Sequence, residues 1–176
     1  MRIHRPPSVI ILTRPKHNAF RTAPTILAAV QALLNQHNAS SVVLTGHSLG
    51  AALALLDSVY LPLHLPPGTR VRTIGYGMPR VGNRAFADYV DALHSSGLTR
   101  VNNKRDPIPI VPGRFLGFVH PSGEVHIQDE GGEWVPCPGQ DDTSPLCIVG
   151  DVLNVLLANI TDHLGPYDDG VVMGLC

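Results

Sequence analysis

Apolar positions recur along the chain in two patterns, which predict alternating strands and helices. Short runs rich in valine, isoleucine and leucine between turn residues are typical of strands, and apolar residues spaced three and four apart are typical of amphipathic helices. The predicted strands are residues 9–12, 41–45, 70–76, 99–102, 115–119 and 124–127, and the predicted helices are residues 23–37, 49–60, 83–95 and 148–160. This alternation predicts an α/β fold with a mainly parallel sheet and helices on both faces.

The motif GHSLG at residues 46–50 stands directly between a predicted strand and a predicted helix. This context favours a nucleophile elbow, a sharp turn that exposes the hydroxyl of Ser48 above the sheet edge, over a plain strand-to-helix turn. Glycines two positions before and after the serine fit a crowded turn that leaves no room for a side chain. The helix start would also aim the Leu49 N–H at a developing oxyanion.

A serine nucleophile needs a base and an orienting carboxylate, in the chain order serine, acid, histidine. Asp106 follows the predicted strand 99–102 and precedes Pro107-Ile108-Pro109, which fixes a rigid loop. A loop just past a strand end is where this architecture places its acid. The alternative for Asp106 is an Asx-type turn residue ahead of a proline.

Three of the nine histidines follow this acid and compete for the role of base. His120 and His126 flank a turn that is predicted to join strands 116–119 and 125–127 into a hairpin, which would tie them to their neighbours. His163 lies in a loop beyond the last predicted helix, from which it could reach the serine. His163 is therefore preferred to His120, with a merely solvated loop histidine as the alternative.

Four segments in the same order resemble the fungal class 3 lipases, which are α/β-hydrolases. They are GHSLGAALA at 46–54, YGMPRVGN at 76–83, RVNNKRDPIP at 100–109 and GFVHPSGEV at 117–125. The resemblance implies hydrolysis of triacylglycerols or related carboxylic esters by Ser48 as nucleophile, Asp106 as orienter and His163 as base. The histidine is also implied by a tyrosine that follows it shortly in the family, here Tyr167. No cofactor is implied.

The chain departs from the family before the elbow. Family members carry additional strands, a lid helix and an Arg-Gly-Ser or Arg-Gly-Thr loop that supplies a second oxyanion donor, and no Arg-Gly pair precedes Ser48 here. Residues 1–16 are unassigned, and residues 17–176 are predicted to form an incomplete lipase-like domain that lacks the N-terminal strands and lid. We expect little esterase activity from the chain alone, unless Thr13-Arg14 supplies the missing donor.

Composition is compatible with one globular domain. The 176 residues are 44% hydrophobic and 15% charged, with a net charge of −1, so charge predicts neither a nucleic acid nor an anionic membrane as a partner. No apolar run approaches the ~18 residues of a membrane span, and the N-terminus lacks a signal-peptide core. The histidines lack the paired spacing of a metal site, so none is predicted.

The cysteines indicate the compartment. Cys137 and Cys147 bracket a loop rich in proline, glycine and aspartate, as in a disulfide-closed loop of a secreted protein, and Cys176 is left over. Family members are usually secreted, so we expect the parent protein to be extracellular, with an export signal that this chain does not contain.

Two classes of function follow from these observations. The first is a serine hydrolase that acts on lipid esters at an oil–water interface, with a feruloyl esterase as a variant that shares fold and triad. The second is an inactive remnant that keeps the triad but acts at most as a binding module. The two classes differ in whether an upstream loop supplies the second oxyanion donor.

Overall fold

The computed structural model describes residues 11, 13–94, 97–168 and 170–173, with the backbone alone for residues 13–19. The helices are α1 (Thr13–His37), α2 (Leu49–Tyr60), α3 (Arg84–Leu93), α4 (Ile148–Asp151) and α5 (Thr161–Leu164). The strands are β1 (Ser41–His47), β2 (Arg70–Tyr76), β3 (Gly82–Asn83), β4 (Leu98–Asn103), β5 (Phe118–Val119), β6 (Glu124–Ile127) and β7 (Trp134–Cys137). Short 3-10 turns occupy Leu61–Leu63 and Arg114–Leu116.

The main sheet has five strands in the order β1-β2-β4-β6-β7. The first four pair in parallel, and β7 returns antiparallel to β6. Because parallel neighbours end at the same edge of a sheet, the carboxyl ends of β1, β2 and β4 meet there. This edge carries the candidate active site.

Helices pack against both faces of the sheet. On one face, α2 and α3 form an apolar core with Met78 and Val81, while α1 packs beside them over Val42 and Val71. The other face carries the C-terminal segment, in which Tyr167 packs on residues of β2, β4 and β6. The predicted fold class, with a mainly parallel sheet flanked by helices, is confirmed.

Most predicted elements before residue 110 are found. Helix 49–60 and strand 70–76 have the predicted bounds, α1 begins ten residues earlier than predicted, and Asn83 caps α3 by accepting a hydrogen bond from the Phe86 N–H at 3.1 Å. The predicted strand 9–12 lies outside the described residues except for Ile11, which forms an isolated bridge to Gly82.

The prediction of a helix over 148–160 is wrong beyond residue 151. Asn154 closes local turns, since its side chain accepts from the Leu156 N–H and its carbonyl accepts from the Leu157 N–H. Asn159 similarly accepts from the N–H and hydroxyl of Thr161. Such local hydrogen bonds compete with helix formation. Val152 is buried, but most of the apolar side chains that follow it are exposed, Leu156 at 91%.

The predicted hairpin between 116–119 and 125–127 is also wrong. Of the predicted strand 115–119 only Phe118–Val119 is extended, because Gly117, at φ 82°, ends a 3-10 turn before it. This short strand pairs with β3, whereas β6 pairs with β4 and β7. The hairpin of this region is β6–β7, whose second strand the sequence analysis missed.

Candidate active site

Ser48 lies at a sharp turn between β1 and α2. Its backbone has φ 56° and ψ −124°, a left-handed conformation that is strained for a residue with a side chain. The turn is held by a hydrogen bond from the Ser48 N–H to the Tyr76 carbonyl at 2.9 Å, and the Ser48 carbonyl accepts from the N–H groups of Ala51 and Ala52. Strand, strained serine and helix together form the geometry of a nucleophile elbow.

The two glycines of the elbow differ in their surroundings. A Cβ at Gly46 would collide with the backbone carbonyl of Gly50, so a side chain there is excluded. A Cβ at Gly50 would meet no described atom within 4 Å. The expectation of crowding is therefore confirmed at Gly46 and wrong at Gly50, where the helix has already turned outward.

Asp106 lies past the end of β4, in a loop that begins with a tight turn. Its backbone N–H donates to the Asn103 carbonyl at 3.1 Å, and its Oδ1 accepts from the Ile108 N–H at 2.8 Å. The residue is completely buried. The Asx-type turn that was the alternative interpretation is thus present, and the same side chain still has a second oxygen to offer.

That second oxygen, Oδ2, accepts a hydrogen bond from Nδ1 of His163 at 2.8 Å. His163 lies in α5 and is 7% exposed. Because the carboxylate is an acceptor, Nδ1 carries a proton, so Nε2 is the ring nitrogen that remains to take part in proton transfer. The structure therefore joins two of the three residues of the predicted triad, which are 57 positions apart in sequence, by a hydrogen bond.

The carbonyl oxygen of His163 accepts two side-chain hydrogen bonds. One comes from Nε2 of His47 at 2.7 Å and the other from the hydroxyl of Tyr167 at 3.0 Å. Burial raises the pKa of the Tyr167 hydroxyl, and the nearby Asp106 charge adds to the shift, so the phenol keeps its proton and remains a donor. Burial lowers the pKa of the His47 imidazole, which favours its neutral form.

Because Gly77 has no side chain, there is room beside it for the hydrogen-bonded pair of His163 and Asp106. A Cβ at this position would come within 2.7 Å of Nδ1 of His163 and 2.8 Å of Oδ2 of Asp106, and φ at Gly77 is +54°. A side chain would therefore be both strained and in collision with the pair. This requirement explains why Gly77, the first glycine of the YGMPRVGN segment, has no side chain.

His120 cannot serve as the base. It is completely buried, and its Nε2 lies 2.8 Å from the carbonyl oxygen of Pro109. His126 is equally buried, with its Nε2 at 2.8 Å from the Lys104 carbonyl. All three histidines are buried, and His163 is the one whose ring is hydrogen-bonded to Asp106.

The Ser48 hydroxyl and the His163 ring lie in adjacent segments but are not hydrogen-bonded to each other. The rings of His47 and His163 are 4.3 Å apart, and among the described residues Ser48 Oγ makes no hydrogen bond. Such catalytic contacts often tighten only when substrate binds. As the first N–H of α2, the Leu49 N–H has no intrahelical partner and is free for an oxyanion. The Thr13-Arg14 pair lies in α1, where side chains are not described.

Cys137 and Cys147 are joined by a disulfide, as predicted, and Cys176 lies outside the described residues. In the described part of the chain, the one cluster with metal-ligand residue types combines this disulfide with Glu124. Its sulfurs are bonded to each other, and Glu124 accepts hydrogen bonds from Arg100 and from the Ile148 N–H. This cluster therefore has no thiolate to offer a metal.

Apolar side chains are exposed beside the acid loop and the histidine. A groove of about 540 Å³ runs between Val111 and Phe115 on one side and Leu153 and Val155 on the other. Leu156, the next residue along the chain, is also exposed. No helix in the described residues has the length and apolar character needed to span a bilayer.

The chain is similar in sequence to known lipases. The profile of the family described as Lipase (class 3) matches residues 14–116. The secreted mono- and diacylglycerol lipase MDL2 of Malassezia globosa is 37% identical over 151 residues, which are 84% of this chain and 48% of the relative. LIP4 of Malassezia restricta, also named a secreted mono- and diacylglycerol lipase, is 43% identical over 135 residues, 76% of this chain and 41% of the relative.

Solved structures give the same result. Lipase II from Rhizopus niveus superposes with a TM-score of 0.81 at 27% identity, over 98% of this chain and 64% of that one. Lip2 lipase from Yarrowia lipolytica superposes with a TM-score of 0.80 at 28% identity, over 94% of this chain and 59% of that one. The chain spans about half the length of the curated relatives it matches. By its sequence, its elbow and its α/β-hydrolase fold, the chain belongs to the class 3 lipase family.

Proposed function

We propose that the protein to which this chain belongs hydrolyses carboxylic esters of lipids, with Ser48, His163 and Asp106 as its catalytic triad. The observation that carries the proposal is the convergence of a strained serine elbow and a buried, hydrogen-bonded His163–Asp106 pair at one edge of the sheet. Serine needs such a pair, since it is a weak nucleophile at neutral pH.

In the proposed reaction, Ser48 Oγ attacks the ester carbonyl carbon while Nε2 of His163 takes the hydroxyl proton. The Leu49 N–H donates to the oxyanion of the tetrahedral intermediate. His163 then returns the proton to the leaving alcohol, which leaves an acyl ester on Ser48. Water attacks this ester with His163 again as base, and the carboxylic acid is released. The Asp106 carboxylate stabilises the imidazolium that forms twice in the cycle.

The substrates we propose are acylglycerols presented at an oil–water interface. Support comes from the exposed apolar groove beside the acid loop, which would contact acyl chains, and from the names of the relatives as mono- and diacylglycerol lipases. The relatives are also named as secreted, and the Cys137–Cys147 disulfide suits an oxidising compartment. We therefore propose that this protein acts outside the cell.

Labelling with an alkyl fluorophosphonate tests the nucleophile. The reagent should form one covalent adduct at Ser48, and hydrolysis of a p-nitrophenyl ester should be lost together with labelling in Ser48→Ala. Ser41→Ala, at the exposed start of β1, is the matched control and should keep both. A folded protein that binds acylglycerol vesicles but neither labels nor hydrolyses esters would contradict the proposal and favour a binding module.

A further inference from the structure

The loop that carries Asp106 has little backbone support of its own. Residues 106–112 include Pro107, Pro109 and Pro112, which have no N–H to donate. Only the Asp106, Ile108 and Val111 N–H groups make hydrogen bonds, all of them within residues 103–111. Several of the loop carbonyls therefore need partners from elsewhere in the fold, because buried carbonyl groups are rarely left unpaired.

Two buried side chains supply these partners. Arg80 donates from Nη1 to the carbonyls of Ile110 and Pro112, and its backbone N–H donates to the carbonyl of Val111 at 3.0 Å. His120 donates from Nε2 to the carbonyl of Pro109 at 2.8 Å. Four consecutive carbonyls of the loop are thus held by these two residues.

The partners are themselves fixed by Asp141. Its carboxylate accepts from Nε of Arg80 at 3.1 Å and pairs with Nη2 at 3.0 Å, and its Oδ2 also accepts from the His120 N–H at 3.4 Å. Asp141 has φ 47°, a conformation that costs energy and is kept by its surroundings. It belongs to the loop that the Cys137–Cys147 disulfide closes.

The charges of Arg80 and Asp141 and the protonation state of His120 suit these buried hydrogen bonds. Arg80 and Asp141 neutralise each other in the interior, where an unpaired charge would be costly. Burial, with the positive charges of Arg100 and Arg80 added, holds the pKa of His120 well below its usual range, so the ring is neutral. The Pro109 carbonyl can only accept, so the single ring proton is on Nε2, and Nδ1 has no hydrogen-bond partner in the described residues.

We propose that Arg80, Asp141 and His120 are positioning residues that hold the loop 106–112, so that the Asp106 carboxylate stays in register with His163. The inference rests on the proposed function, because it gives these residues a task in the same triad. All three side chains are buried. They act on the reaction only through the placement of Asp106.

Two substitutions of His120 separate positioning from mere stability. The amide nitrogen of glutamine lies close to the position of Nε2, so His120→Gln can still donate to the Pro109 carbonyl, whereas the shorter side chain of His120→Asn cannot. We expect kcat on a p-nitrophenyl ester to fall about 10–10²-fold in His120→Asn with little change in KM, since small misplacements of a catalytic group cost about this much. His120→Gln should stay within a few-fold of the wild type.

His94→Asn is the matched control, because the His94 ring also bonds a backbone carbonyl, that of Ser58 at 3.0 Å, which belongs to α2 and not to the acid loop. It should lower the melting temperature without lowering kcat per folded molecule. The low-field proton NMR signal of His163 Nδ1–H should shift or broaden in His120→Asn and persist in His120→Gln and His94→Asn. An unchanged kcat and an unchanged signal in folded His120→Asn would overturn the inference.

The NMR signal also keeps the two proposals distinct. If the wild-type protein neither labels nor hydrolyses esters, the proposed function fails, yet the signal still reports whether His120 holds Asp106 against His163. If Ser48→Ala and His163→Ala abolish activity while His120→Asn leaves both kcat and the signal intact, the function stands and the positioning role is wrong.

Discussion

His47 donates a hydrogen bond from Nε2 to the carbonyl oxygen of His163 at 2.7 Å, and the two rings lie 4.3 Å apart. The residue directly before the proposed nucleophile thereby holds the backbone of the proposed base. The nucleophile and base segments, which are 116 positions apart in sequence, are linked by this contact. The elbow and the segment of the proposed base are therefore linked by one partly buried hydrogen bond.

Removal of this link should lower activity more than stability. We expect His47→Asn to reduce kcat about tenfold because the shorter side chain loses the bond to His163, while His47→Gln keeps a donor near the Nε2 position. Tyr167→Phe removes the second donor to the same carbonyl. The loss of kcat in the double variant should be smaller than the combined losses of the two single variants, because both side chains bond one oxygen atom. Steady-state kinetics of the two single variants and the double variant test this, and full additivity would contradict it.

Gly77→Ala should disrupt the His163–Asp106 pair. The new methyl group would lie within 3 Å of both side chains, so one of them must move, and we expect a loss of about 10²-fold in kcat. Gly68→Ala is a matched control, since Gly68 also has a positive φ, +87°, but faces open space. It should cost about 1 kcal/mol in unfolding free energy and leave kcat unchanged. Equal kcat values for the two variants would refute the steric argument.

His163→Ala and Asp106→Asn should each lower ester turnover by about 10³–10⁴. The reason is that the base accepts the serine proton and the acid fixes the tautomer that makes this possible. The double variant should be little worse than either single variant, because the members act as a unit. Measured kcat values for the three proteins decide the point, and retention of more than a tenth of the activity in His163→Ala would contradict the assignment.

Asp57 makes stability depend on pH. This carboxyl is buried in α2, its Oδ1 has no hydrogen-bond partner in the described residues, and burial raises its pKa to about 6. Between the ordinary pKa and 6 the folded state binds more protons than the unfolded state, so the contribution of Asp57 to stability decreases as pH rises through this range. Above about pH 6, where Asp57 is ionised in both states, the folded state is destabilised by the full free energy of burying this charge.

Asp57→Asn should therefore stabilise the protein at pH 7 by about 1–2 kcal/mol and have little effect near pH 4. Urea unfolding at the two pH values measures the difference. Asp168→Asn, an exposed carboxyl, serves as control and should change the unfolding free energy at neither pH. A stabilisation by Asp57→Asn that is the same at both pH values would rule out titration of Asp57 as its cause.

Loss of the Cys137–Cys147 disulfide should cost no more than ~3 kcal/mol in unfolding free energy, because the closed loop is short. The double variant Cys137→Ser, Cys147→Ser avoids a leftover thiol. Since the same loop carries Asp141, we also expect kcat to fall in this variant. Denaturant unfolding and kinetics, each with the reduced wild-type protein as a reference, test both effects. Peptide mapping that found Cys137 alkylatable without reduction would contradict the pairing itself.

The sequence by itself determined the features that depend on neighbours along the chain. The elbow follows from a valine-rich strand, a glycine before the serine and an alanine-rich helix, and the order β1-α2-β2 follows from the same short-range patterns. The prolines after Asp106 likewise fix a loop. The cysteine spacing indicated the disulfide. These signals need no knowledge of what packs against them.

Only the tertiary structure decided which distant residues meet. His163 was preferred to His120 from sequence, and the fold joins His163 to Asp106, 57 positions away, while the His120 ring bonds the Pro109 carbonyl instead. The pairing of β5 with β3 and the loss of helix beyond residue 151 were missed. The first depends on two strands that are distant in sequence, and the second on local hydrogen bonds of Asn154 and Asn159 that replace those of a helix. Arg80 and Asp141, 61 positions apart, gave no sequence signal as a pair, because an ion pair is defined by proximity in space.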